Sequence, residues 1–398
     1  MKARTRVQLA LVISAAAALV LAATAAARVH AGTPIVIGWA HDSTGPMAPF
    51  DGPALAAAQI RVKQLNASGG VMGHQLVIKT CDTQGDNAAV SKACADKLIS
   101  QGAQIIFTTC DVDLAAPVVQ ESLNKGLLTV APCIGTDQMG PKRFGTKGAL
   151  AFSFGNVAQD EGSAMAQFAW SKGWRTADLA TDSVIVYFKN VIQAFKVRFT
   201  QLGGKVVDQE TYQDPVFHGN NVQNAVSRIN SHKADVVVTS TAGAWNALAP
   251  LINGLRTLGN QTPVLNSWAG DGTYWLPKSP AITNYFFVTY ANAFGQDPSK
   301  AINTLAKQVK AATGGFIAGP AAIDGVATAI KRANGSTDGA TLAAVMQKFH
   351  NVSTLSGKVS FSAKLHTVFG RAYRIIEINN NKPKELGTIT AKVVPTIP

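Results

Sequence analysis

Charge is scarce in this chain of 398 residues: Asp, Glu, Lys and Arg make up only 15%. With apolar residues at 47%, that balance excludes an intrinsically disordered chain and leaves ample material for packed cores. Acids are outnumbered, 23 against 36 bases, and the net charge is +13. A basic surface can serve nucleic acid. Here the Lys and Arg are scattered, without runs or interleaved aromatics, so no nucleic-acid partner is expected. The seven His show no metal-ligand spacing, which leaves no metal site to defend. No G-x-S-x-G elbow occurs. His41-Asp42-Ser43 holds the residue types of a catalytic triad, but chain neighbours cannot converge as a triad must. Gly140-Pro141-Lys142-Arg143-Phe144-Gly145-Thr146-Lys147 nearly spells a phosphate loop, yet its last two residues are reversed and no strand–loop–helix frame surrounds it. No cofactor and no enzymatic activity are expected.

What is present begins with an N-terminal address. Lys2, Arg4 and Arg6 precede an Ala-rich apolar run over residues 9–27, and Val29-His30-Ala31 supplies the small residues of a cleavage site. Residues 1–31 are expected to be a signal peptide, cut near Ala31, which makes the protein periplasmic or secreted. An uncleaved anchor is the rival reading, but so many alanines anchor weakly. Four cysteines, Cys81, Cys94, Cys110 and Cys133, form an even set in an exported chain and point to disulfides, with three pairings open. Cys110 and Cys133 each end an apolar strand-like run, so they can face each other on neighbouring strands.

The chain is organised around residues 35–82. Ile35, Val36 and Ile37 form a short β-branched run, as in a buried parallel strand. A loop full of Gly and Pro follows to Gly52, and Pro53 suits the first turn of a helix. Leu55, Ala58, Val62 and Leu65 recur at helical spacing before a second strand over 75–78. The strand-to-helix loop of such a βαβ unit lies where open α/β sheets bind ligands. Strands alternating with helices continue to about residue 133, and a second series runs from 159 to 266, predicting two α/β lobes. Helices over 301–312, 321–333 and 341–349 follow, then strands over 358–361 and 371–378. Asn379-Asn380-Asn381 is expected to end the last strand.

This order of elements resembles the type I periplasmic binding proteins, in the leucine/isoleucine/valine-binding branch that serves ABC importers. The resemblance is carried by Thr44-Gly45-Pro46, by Asn66-Ala67-Ser68-Gly69-Gly70-Val71-Met72-Gly73, and by residues 357–361 with 371–378. It covers Ile35 to about Pro383. It implies two Rossmann-like lobes joined by three crossover strands near 152–153, 288–290 and 355–357. The N-terminal lobe would hold residues 32–152 plus 290–355, and the C-terminal lobe 153–289 plus 356–398. The lobes would close like a flytrap on a small molecule and present it, as a monomer, to an ABC permease in the inner membrane.

The same resemblance assigns the cleft. Phe50 stands where the family places an aromatic wall. The loop after the third strand, Cys110-Asp111-Val112-Asp113, carries Asp111 and Asp113 where amino-acid binders hold the ligand carboxylate with a hydroxyl and free N–H groups. Cys133-Ile134-Gly135-Thr136 replaces another such segment, and only Thr136 keeps a matching hydroxyl. In the second lobe Tyr187 packs across the cleft, Ala242 stands where an aromatic is usual, and Asp271 answers to the acid that meets a ligand ammonium. Asp111 and Asp113 have two readings: they meet a cationic or amide ligand, or they cap the helix that starts near Ala115. Trp170, Trp174 and Trp245 are expected as packing. The leading reading is a binding protein for a small polar molecule: a branched-chain amino acid, a related amide or an aromatic acid. A ligand-sensing module for a receptor or regulator is the alternative, and an exported hydrolase is third.

Overall fold

The structure, a computed structural model, describes residues 32–217, 219 and 222–397. The signal peptide expected over residues 1–31 lies outside them. Fifteen strands are described, in three groups. Strands β1 (Gly32–His41), β2 (His74–Asp82), β3 (Ile105–Phe107), β4 (Leu128–Ala131) and β5 (Ala151–Asn156) precede β6 (Thr176–Asp182), β7 (Lys205–Tyr212), β8 (Val236–Ser240), β9 (Val264–Asn266) and β10 (Tyr285–Thr289). Then come β11 (Val352–Thr354), β12 (Gly357–Val359), β13 (Thr367–Val368), β14 (Tyr373–Asn379) and β15 (Lys382–Ile389).

They build two sheets, β13-β5-β4-β3-β1-β2 and β15-β14-β10-β9-β8-β6-β7, with β11 and β12 as a separate hairpin. The first sheet is parallel throughout; the second is parallel except where β14 and β15 add antiparallel at its edge. Strands β3, β4 and β5 are buried along their whole length, as parallel strands covered by helices on both faces must be. Phe107, Phe152 and Phe154 fill the first core together with Ala321, Ala322 and Val326 of helix Ala318–Arg332. In the second lobe, helices Ala158–Ser171 and Val186–Gln201 bring Phe168, Phe188, Phe195 and Phe199 onto the sheet.

The passages between sheets place the lobes. The chain leaves the first sheet after Asn156, later than the expected 152–153, because β5 continues through the buried Phe154 and pairs with β13. It leaves the second after Thr289 and returns after Val368, where the sequence reading put the third passage at 355–357. Residues 357–368, expected in the C-terminal lobe, stay with the N-terminal one. Val359, Phe361 and Val368 are buried in its core, and Val157 N–H donates to the Val368 carbonyl. The helix after β1 also starts earlier than Pro53: it spans Ala48–Ala67 with Pro49 in its first turn and Pro53 a turn inside. That start sets Phe50 on the first turn, against the other lobe.

Candidate functional site

The carboxyl ends of the parallel strands of both sheets face one another, and their loops enclose a single cavity. The first lobe contributes Met47 and Phe50 after β1, and Cys110 and Asp111 after β3. The second contributes Ile185, Tyr187 and Phe188 after β6, Ala242 and Trp245 after β8, and Trp268 and Ala269 after β9. Phe50 meets Trp268 edge-on across the lobes at 5.3 Å. Trp268 in turn stacks on Tyr290, 4.7 Å between centroids and 12° between planes. The enclosed space is about 20 Å³, hardly more than one water, against the ~300–1,000 Å³ of ordinary ligand pockets.

Three polar contacts hold the lobes together at this edge. Trp245 Nε1 donates to the Pro46 carbonyl at 3.0 Å, Val186 N–H to Asp113 Oδ2 at 2.8 Å, and Asn190 Nδ2 to Thr136 Oγ1 at 3.0 Å. A larger groove, about 590 Å³, runs between helices Ala48–Ala67, Lys300–Val309 and Ala318–Arg332. Its walls are helix sides and the end of β11, all in loops and elements away from the facing strand ends, and its Arg61 is already paired with Asp324 at 2.6 Å.

Of the residues singled out in the sequence, Phe50, Asp111, Tyr187 and Ala242 line the cavity. Asp111 also caps helix Val112–Asn124, its Oδ1 accepting from Asp113 N–H at 2.9 Å and Leu114 N–H at 3.2 Å. The capping reading of Asp111 is thus met by a side chain that also lines the cavity. The others stand behind the wall. Asp113 pairs with Arg143 at 2.6 Å besides its contact to Val186. Cys133 is bonded to Cys110, and Cys81 to Cys94. Thr136 is buried between lobes, and Asp271 accepts from Thr289 Oγ1 at 2.6 Å and from Gly314 N–H. Trp245, expected as packing, is a cavity wall 6% exposed, because its indole reaches the opposite lobe. Trp170 and Trp174 do pack, under the Arg175 guanidinium and against Phe168 and Phe286 respectively.

Sequence reasoning missed Met47, Ile185 and Phe188 in the cavity wall, and Glu161 behind it. Glu161 sits on the first turn of helix Ala158–Ser171, just after β5, and the Trp268 N–H and the Tyr187 hydroxyl (2.9 Å) both donate to its Oε1. Burial pushes its carboxyl up to about 8, and burial also raises Asp111 and Asp271 to about 7, the nearby Asp113 charge adding to the rise at Asp111. A carboxyl raised in the native state favours folding below the unfolded carboxylate range, and that advantage is lost as pH climbs through about 7 to 8. Exposed acids held low, such as Asp208, change stability only below the ordinary carboxylate range and stay out of this window. The midpoint of thermal unfolding should therefore fall by about 10 °C or more from about pH 5 to pH 8.5. Glu161→Gln, which keeps the Oε1 acceptor, should flatten part of that slope. A midpoint that rises over the same range would show that these acids are ionised when buried.

Comparison with known proteins agrees with the geometry. The periplasmic binding protein family matches the chain over residues 34–383. The Leu/Ile/Val-binding protein BraC3 of Rhizobium johnstonii is 24% identical over 335 residues, 82% of this chain and 87% of that protein. Among solved structures, the branched-chain amino acid transporter substrate-binding protein LivJ of Streptococcus pneumoniae, in complex with isoleucine, superposes with a TM-score of 0.75. It is 18% identical, and the match covers 91% of this chain and 100% of that one. A solute-binding protein of an ABC transporter from R. palustris, in complex with 4-hydroxybenzoate, gives a TM-score of 0.73 at 19% identity, covering 91% and 98%.

Proposed function

The chain belongs to the periplasmic binding protein family, and on that premise we propose that it is the extracytoplasmic solute-binding component of an ABC-type importer. One observation carries this reading: a cavity shared by the strand ends of two lobes and walled by Phe50, Tyr187, Phe188, Trp245 and Trp268. Rings from both lobes can wrap the apolar body of a small solute, such as a branched-chain amino acid, a related amide or an aromatic compound. Relatives bound to isoleucine and to 4-hydroxybenzoate support that size and character. Phe50, Tyr187, Ala242 and Asp111 would touch the solute, while Asp113, Cys133, Thr136 and Asp271 hold the loops that present them. Among the described residues, the cavity wall contains no Ser, Thr, His or Lys, and its one cysteine is in a disulfide, which supports binding as the role of the cavity. Hinge closure would bury the solute, and the closed monomer would then dock on its permease. Residues 1–31 would be removed near Ala31 on export.

A thermal-shift screen against amino acids, amides, aromatic acids and amines tests this. A ligand at a hundredfold excess over its Kd stabilises by about 2.7 kcal/mol, so one chemical class should raise the unfolding midpoint by several degrees. If no class does so and an esterase or amidase assay shows turnover, the transport reading falls.

A further inference from the structure

The polar groups around the cavity describe the solute's charge. Five backbone N–H groups at its edge are already taken by the chain's own acids. Cys110 N–H donates to Asp51 Oδ1 at 3.0 Å, and Asp113 and Leu114 N–H to Asp111 Oδ1. Val186 N–H donates to Asp113, and Trp268 N–H to Glu161. The pair held by Asp111 opens helix Val112–Asn124, the place where a helix attracts an anion. A protein carboxylate occupies it, so a ligand carboxylate finds no free donor at that helix start.

No Lys, Arg or His lines the cavity among the described residues. Arg143 is paired with Asp113. Arg371 lies over the Tyr290 ring, 5.2 Å from its centroid, and is bound to Asn156 Oδ1 and the Phe154 carbonyl. What remains exposed to the cavity is Asp111, itself 3% exposed, with no protein partner for Oδ2 among the described residues. Around it stand the faces and edges of five aromatic rings.

We propose that the solute is a small organic cation, its ammonium group set against Asp111 and the aromatic rings and its apolar body packed between the lobes. The proposal rests on the solute-binding reading above. An anion would set a second acidic group against Asp111 with no Lys, Arg or His beside it, and a neutral solute supplies no counter-charge for that buried carboxyl. A cation answers both: it pairs with the carboxylate and is attracted to ring faces.

Calorimetric titration of the intact protein with a matched series, 2-phenylethylamine, 2-phenylethanol and 3-phenylpropionate, separates these cases. The amine should bind about tenfold or more tightly than the alcohol, and the propionate weakest of all. Asp111→Asn keeps a good helix cap and should cost the amine about 30-fold while moving the alcohol less than about threefold. The series on the unaltered protein stands by itself if that variant folds poorly. Propionate or alcohol binding as tightly as the amine, or an amine-to-alcohol ratio unchanged by Asp111→Asn, would overturn the charge assignment and leave the solute-binding reading standing. Silence from all three compounds and from the thermal-shift screen would overturn both.

Discussion

Replacing Trp268 with Ala should weaken ligand binding by about 100-fold, the largest loss expected from any single side chain in the cavity. The ring is 3% exposed and is the point where the two lobes' aromatics meet. It takes the edge of Phe50 from one side, approaches Tyr187 at 6.4 Å, and stacks on Tyr290 behind. Truncation removes the wall and leaves Phe50 without its partner in the closed form, so the loss appears chiefly in the rate of release. The Trp268 backbone N–H still reaches Glu161, so the loop itself keeps its anchor. Titration calorimetry on the variant checks the effect, and Trp268→Phe should recover much of it. An unchanged affinity would remove the inter-lobe cavity from the account.

The second large effect concerns stability. Gly319 opens helix Ala318–Arg332 where it crosses helix Ala48–Ala67, and a Cβ there would lie 1.9 Å from the Ala54 carbonyl oxygen and 2.7 Å from its carbon. Both neighbours are backbone, so nothing can swing aside, and the helices would have to separate over the first core. Gly319→Ala should cost about 3 kcal/mol and lower the unfolding midpoint by several degrees. Gly52, on the exposed side of helix Ala48–Ala67, has nothing within 4 Å of the place a methyl group would take. The same substitution there should stabilise by about 0.5–1 kcal/mol through helix propensity. Opposite signs for one chemical change would confirm that close backbone approach, rather than glycine as such, is what matters. Equal signs would contradict it.

The alternation of apolar runs with helical spacing was enough to read two α/β lobes, because buried parallel strands and amphipathic helices have different periods. Several strands escaped that reading, among them three with separate physical reasons. β5 reads Ala-Phe-Ser-Phe-Gly-Asn and lacks any β-branched residue, yet both faces are covered and it is wholly buried. β13 is two residues long, too short for a pattern, and its pairing moves the third passage beyond Val368. β15 carries Lys382, Lys384 and Glu385 on an edge, where charge and Pro383 are tolerated.

The resemblance placed Phe50, Asp111, Tyr187 and Ala242 in loops at strand ends, and all four line the cavity. The site was not legible where a distant partner decides it. Trp245 points into the cavity because the Pro46 carbonyl of the other lobe receives its indole. Asp271 is drawn away by Thr289 and Gly314, and Glu161 reads locally as an ordinary acid in a helix's first turn until Trp268 and Tyr187 are placed against it.

The most direct test of the account is to load the protein with the compound that gives the largest thermal shift, remove free compound by gel filtration, denature the protein, and quantify what is released by mass spectrometry. One unchanged molecule per chain is the result expected of lobes that trap a solute and leave its bonds alone. A transformed product, or a compound carried on chains whose Phe50 and Trp268 are both replaced by Ala, would contradict it.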